Sequence, residues 1–281
     1  MALGRIFGTH GRKWRQFRYV YPVISRRARG LSIGVNINPD GVCNYDCVYC
    51  QVDRAALSPT GPVDLAVVEQ ELRHVLTARD QLFNEPEFAH VPPNYRRLND
   101  IAFSGDGEPT ASPVFPEAAR LAARLREECR APEAKIVVIT NACFLTRPAV
   151  ADTLAFLDDH NGEIWAKLDA GTEAYQQRIN RSRHTLTHVL ENIQTVARAR
   201  PIVIQSLFLR LDGEPPAPTE IAAYVDHLRA IVAAGGKISL VQIYTVARKP
   251  AVDTVTPLTA DELEAIATDV RNLGLRAECY A

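Results

Sequence analysis

The chain has no apolar run near the ~20 residues a membrane-spanning helix requires, although 47% of its 281 residues are apolar. Its N-terminus lacks the apolar stretch of a secretory signal. No membrane partner is expected. A formal net charge of −1 gives no general attraction to nucleic acid or to a lipid surface. The mean hides an asymmetry, because the first 30 residues contain no Asp or Glu at all. Arg5, Arg12, Lys13, Arg15, Arg18, Arg26, Arg27 and Arg29 make that segment +8 and leave the remainder −9. It is poor in Ser, unlike a mitochondrial targeting peptide, and runs straight into the first predicted strand, so it reads as part of the mature protein. The six cysteines form no even framework: three lie within eight residues, and Cys129, Cys143 and Cys279 are scattered. That is unlike a secreted disulfide scaffold and points to a reducing, cytoplasmic setting. Internal repeats and low-complexity stretches are absent.

What the chain does have is a short apolar strand followed by an amphipathic helix, about six times over. The spacing predicts strands at Leu31–Ile37, Ile101–Ser104, Lys135–Thr140, Ile164–Leu168, Ile202–Leu209 and Lys237–Tyr244, all dense in Ile, Val, Leu and Phe. Helical periodicity marks Leu186 to Val196 and Ile221 to Val232. Thr259 and Glu262 predict a capping box, Gly274 a helix stop, and Ser112-Pro113 a helix start. Asn84–Asn99, with three prolines, reads as a surface excursion. The expected organisation is a basic extension over residues 1–30 and one α/β domain over 31–281. Parallel strands with helical crossovers mean a complete or partial β/α barrel, or an open doubly wound sheet. In both, ligands bind where strands end.

The segment after the first of these strands reads Cys43-Asn-Tyr-Asp-Cys47-Val-Tyr-Cys50. Three thiolates at these spacings converge from one loop, and iron–sulfur clusters normally take one Cys per iron. No fourth Cys lies nearby, so a cubane held here keeps one iron open, as catalytic metal sites do. The alternative from the residues alone is a zinc site completed by a remote Cys or His, in a non-catalytic binding module. Cys-x3-Cys-x2-Cys with an aromatic before its third Cys resembles the signature of the radical S-adenosylmethionine superfamily. The resemblance implies a partial (β/α)6 TIM-like barrel, a [4Fe–4S] cluster on Cys43, Cys47 and Cys50, and Tyr49 near the adenine of S-adenosylmethionine. It also implies a one-electron reductant of flavodoxin or ferredoxin type, cleavage of the cofactor to a 5′-deoxyadenosyl radical, and removal of a substrate hydrogen atom.

Ser104-Gly105-Asp106-Gly107-Glu108-Pro109-Thr110 leaves the second predicted strand. Glycines let backbone approach a ligand, and carboxylates suit an ammonium. It resembles the family's Gly-Gly-Glu element, with Asp106 inserted, which implies contacts from Gly105, Asp106, Gly107 and Glu108 to the cofactor's amino group. Lys167-Leu168-Asp169-Ala170-Gly171 leaves the fourth strand with two charged side chains on one side. By resemblance Lys167 and Asp169 meet the ribose or carboxylate; otherwise they form a structural pair, or Lys167 a Schiff base. Asn141, Ser206 and Gln242, at strand ends, are further candidate cofactor contacts. Cys143 reads as a radical relay, an extra ligand, or a small buried side chain.

The run Ser-Gly-x-Gly-Glu-Pro-Thr with Lys-Leu-Asp-Ala-Gly is similar to the branch that includes the wyosine-type tRNA modification enzymes, although this chain has no second clustered set of cysteines. Rings interleave with cations from Arg12 to Tyr21, a pattern that neutralises phosphates and stacks on unpaired bases. The expected substrate is tRNA or another RNA contacted through residues 5–29. The alternative is a small molecule or peptide, with the segment as a lid.

Overall fold

Strands with no polar face need cover on both sides, and alternating them with amphipathic helices supplies it. The computed structural model describes residues 14–54, 61–250 and 252–281. These fall into two compact units, interleaved along the chain. The first takes described residues of 1–42, 55–139 and 148–163, and the second those of 43–54, 140–147 and 164–281.

The first unit carries β1 (Val20–Ser25), β2 (Gly30–Val35), α1 (Leu65–Ala78), β3 (Leu98–Phe103), α2 (Phe115–Glu128), β4 (Lys135–Thr140) and α3 (Pro148–Asp158). Its strands run in the order β1-β2-β3-β4. Strand β1 is antiparallel to β2, with Val20 opposite Val35, while β2, β3 and β4 are parallel. Helix α1 is capped by Asp64, whose side chain accepts from the amides of Ala66 and Val67. Its inward Glu71 accepts three successive backbone N–H groups, from Arg18 at 2.7 Å, Tyr19 at 2.8 Å and Val20 at 3.0 Å. A carboxylate so bonded is well satisfied although buried.

The second unit carries β5 (Gly162–Lys167), α4 (Glu173–Ile179), α5 (Leu186–Ala199), β6 (Ile202–Leu207), β7 (Leu209–Leu211), α6 (Pro218–Ala233), β8 (Ile238–Tyr244), β9 (Val255–Pro257), α7 (Ala260–Arg271) and β10 (Ala277–Tyr280). Strands β5, β6, β8 and β10 lie side by side and parallel. Strands β7 and β9 form an antiparallel ribbon. In α5, Leu186, Val189, Ile193 and Val196 are buried at helical spacing behind the cap Thr185. The capping box of α7 forms as expected, and Gly274 adopts a φ of 78° just past the helix.

The structure departs from the sequence expectation in four places. Part of the basic segment is strand β1, and Trp14, Tyr19 and Tyr21 within that segment are buried. Residues 5–13 lie outside the described residues. The predicted strand Ile202–Leu209 breaks at Phe208, and β7 begins at Leu209. Ser112 caps no α-helix: α2 starts at Phe115, and the Ser112 hydroxyl instead donates to the Ile37 carbonyl at 3.1 Å. The excursion before β3 is anchored by Phe88 and Val91, both buried.

Asp100 in β3 is buried and accepts a hydrogen bond from Ser32 of β2. Burial pushes its carboxyl up to about 7 from 3.8; Ser32 opposes the shift, Glu163 adds to it, and Arg27 and Lys135 oppose it. The folded chain therefore keeps this proton to about pH 7, whereas the unfolded chain releases it near pH 3.8. Stability from this group is lost as pH rises through that window. Asp100→Asn, which still accepts from Ser32, is expected to raise stability in urea by roughly 1–3 kcal/mol at about pH 8 and to change little at about pH 4.

Candidate metal and cofactor site

The cysteine loop belongs wholly to the second unit and is locked by its own residues. The amides of Asp46 and Val48 donate to the carbonyls of Asn180 and Ile179 at 3.0 and 2.9 Å, and the Cys50 amide donates to the Cys47 carbonyl at 2.9 Å. Val48 and Tyr49 are buried in an apolar cluster with Ile179, Leu207, Leu209, Tyr244 and Tyr280, and Cys47 packs against it. Tyr45 is buried too, hydrogen-bonded to Cys143 and Ser182 and at 3.4 Å from Gln176 Nε2. Apolar and aromatic residues between the cysteines thus root the loop, while the three cysteines are half-buried and outside any disulfide.

Behind the loop lies a polar network. Asp169 Oδ2 accepts from Tyr49 Oη and from Asn180 Nδ2, the latter at 3.1 Å, and Asp169 Oδ1 accepts from the Leu207 amide at 2.8 Å. Asn180 Nδ2 also reaches Tyr49 Oη at 2.9 Å and Cys47 Sγ at 3.5 Å. Lys167 Nζ stands 3.4 Å from Asp169 Oδ2, donates to Tyr244 Oη at 3.1 Å, and lies 4.9 Å from the centre of the Tyr49 ring. Burial is the largest single influence and works against the Lys167 charge, but Asp169, Tyr244 and Cys47 together outweigh it, so its pKa is raised. Lys167 therefore stays an ammonium, which disfavours Schiff-base chemistry. The structural Lys167–Asp169 pair is present. The turn that follows is held by Glu220, which accepts from the amides of Gly171 and Thr172 and from the Thr172 hydroxyl.

The remaining second-unit candidates have protein partners. Asn141 Nδ2 donates to Asn44 Oδ1 at 2.7 Å, and Asn141 Oδ1 accepts from the Cys143 amide at 3.2 Å. Ser206 is fully buried against Tyr224 Oη at 2.7 Å. Gln242 accepts from Gln205 Nε2 at 2.7 Å. Asn180, Gln205 and Tyr45 are the residues that motif reading missed.

The first unit holds the glycine motif. Asp106 Oδ2 accepts from Asn36 Nδ2 at 2.6 Å, and its amide donates to Asn36 Oδ1 at 3.2 Å. The inserted Asp106 is thus clasped by an asparagine that follows β2. A Cβ on Gly107 would lie 2.2 Å from the Val42 carbonyl, so only glycine fits that approach. Glu108 is buried, and its Oε1 accepts from the amide and hydroxyl of Thr110, capping the 3₁₀ turn Pro109–Ala111.

Among the described residues, no three His, Cys, Asp or Glu side chains are set to hold a metal ion as they stand. Burial pushes the Cys47 thiol up to about 11, against the pull of Lys167 and the donors Asn180 and Tyr49. A thiol in that state ligates only when a cationic centre supplies the charge that favours thiolate. Cys43, Cys47 and Cys50 on one rooted loop, none in a disulfide, are a donor set that fits an iron–sulfur cluster, one thiol per iron.

UPF0026 protein MJ1312 of Methanocaldococcus jannaschii is 29% identical over 172 residues, covering 61% of this chain and 46% of that protein. GTPase Obg of Brachyspira hyodysenteriae is 25% identical over 162 residues, covering 57% of this chain and 20% of that one. The chain thus spans less than half the length of these curated relatives. A radical SAM methyltransferase from Sphaerobacter thermophilus superposes with a TM-score of 0.64 at 14% identity, covering 93% of this chain and 68% of that one. The fold is accordingly α/β with mostly parallel strands, of the partial-barrel class expected from the sequence. TYW1 with a lysine-pyruvate adduct bound gives a TM-score of 0.49 at 16% identity, over 87% of this chain and 74% of that one. No helix among the described residues is long and apolar enough to cross a membrane. The model of the radical SAM superfamily matches residues 37–220, well over half of the chain, and the chain belongs to that superfamily as one of its enzymes.

Proposed function

We propose that this enzyme holds a [4Fe–4S] cluster on Cys43, Cys47 and Cys50 and binds S-adenosylmethionine at the cluster's open iron. When bound and reduced, that pair supplies a 5′-deoxyadenosyl radical able to remove a hydrogen atom from substrate. The observation that carries the reading is the rooted loop: three thiols outside any disulfide on a segment whose Tyr45, Val48 and Tyr49 are buried.

The chain's own residues supply position and dryness. Val48 and Tyr49 fix the loop against the apolar cluster and exclude water from its inner side. Lys167 keeps a positive charge close to Cys47 and steadies its thiolate. By the resemblance of their motif, Gly105, Asp106, Gly107 and Glu108 are the residues proposed for the cofactor's ammonium. Tyr49 and Asn141 complete the proposed contacts. Ser206 and Gln242 are weaker members, because buried partners already hold them. A flavodoxin or ferredoxin type of reductant delivers the electron. The substrate proposed is RNA, on the strength of the +8 segment at the N-terminus.

Anaerobic reconstitution with iron and sulfide, then dithionite and S-adenosylmethionine, tests this. The expected result is a brown protein that forms 5′-deoxyadenosine. A colourless protein with one equivalent of zinc would end the proposal.

A further inference from the structure

The rings of Trp14, Tyr19 and Tyr21 are buried, so this part of the basic segment has little aromatic surface left for bases. A ring-and-cation surface occurs instead in the second unit. It is built by the loop after β4 and the turn between α4 and α5. Phe144 meets His184 edge-on, with ring centres 5.4 Å apart, and His184 stacks on His188 at 5.1 Å and 22°. The Arg147 guanidinium covers the Phe144 ring at 3.6 Å. His188 Nε2 lies 2.9 Å from the Cys143 carbonyl, fixing that end of the stack.

The electrostatics of this surface are one-sided. The His184 pKa is lowered by burial first, then by His188 and Arg147, and no carboxylate contributes. The nearby acid in the turn region, Asp46, already takes Arg54 at 3.2 Å and Arg181 at 3.4 Å. Arg147 and Arg183 are exposed and have no carboxylate partner among the described residues. A solvent-exposed guanidinium over a ring is the arrangement that receives a stacked base beside a phosphate. The turn is also the one whose Asn180 and Ile179 carbonyls hold the cysteine loop, so this surface adjoins the metal-binding segment.

We infer that Arg147, Arg183 and His184 form the docking surface for single-stranded RNA, the two arginines taking phosphates and His184 a base, with buried Phe144 as the ring beneath Arg147. This rests on the reading of RNA as substrate. The full chain, reconstituted anaerobically, is titrated into a fluorescein-labelled single-stranded RNA and into a labelled tRNA pool at low and physiological salt. S-adenosylmethionine cleavage without RNA is followed in parallel.

Arg147→Ser with Arg183→Ser is expected to weaken binding about tenfold at physiological salt and to reduce the slope of log affinity against log salt by about 1–2. His184→Ala is expected to weaken it about tenfold with the slope unchanged. Neither change should alter uncoupled 5′-deoxyadenosine formation. Wild-type RNA binding that all three substitutions leave intact would overturn the docking surface while sparing the RNA reading. Cleavage of the cofactor with no binding of either RNA would overturn both.

Discussion

Replacing Cys47 by Ala is expected to remove the reconstituted cluster and bring 5′-deoxyadenosine formation below detection, and Cys43→Ala and Cys50→Ala should do the same. A loop that offers three thiolates has none to spare when each takes a separate iron. The other cysteines set the contrast, because each has a place in the fold. Cys279 Sγ donates to the Leu263 carbonyl at 3.4 Å, and Cys129 Sγ lies 4.0 Å from the Thr77 hydroxyl. Cys143 is buried and bonded to Tyr45. Changing any of these three to Ala should leave iron and sulfide content unchanged. Cys143→Ala tests the extra-ligand alternative directly: loss of iron in that variant would break the three-thiol assignment.

The second large effect is expected at Asp169. Its carboxylate accepts from Tyr49, Asn180 and the Leu207 amide and faces the Lys167 ammonium, with only 1% of its side chain exposed. Asp169→Ala strands a largely buried cation and several donors, which costs about 3–5 kcal/mol when one partner of a buried pair is lost. Combining it with Lys167→Met removes the stranded charge, so the double variant should recover much of that stability. Urea denaturation of the cluster-free protein reads this without any contribution from cofactor. If Asp169→Ala alone unfolds at the wild-type midpoint, the network behind the loop is not what holds it.

Much of the fold was legible because most strands are long unbroken apolar runs. Lys135–Thr140 was read with its observed boundaries, and Ile164–Leu168 within two residues. Strand β1 was hidden by its basic flanks and by Pro22, a residue suited to the edge position it occupies. Strands β7, β9 and β10 have three or four residues each, too few for a period to declare itself. In the site, Cys43, Cys47 and Cys50 stood out by spacing, as did Lys167 and Asp169 by alternation. Asn36 and Asn180 did not, because each earns its role only through a contact tens of residues away in sequence. Asn36 clasps Asp106 across 70 residues, and Asn180 meets Tyr49 across 131.

The grip of Glu71 on the amides of Arg18, Tyr19 and Val20 bears on how the basic segment can serve a substrate. One carboxylate pinned by three donors acts as a latch, and swinging residues 18–20 outward would abandon an anion beneath helix α1. Residues 18–20 are thus fastened to α1, and any contact the basic segment makes has to be made with them in that position.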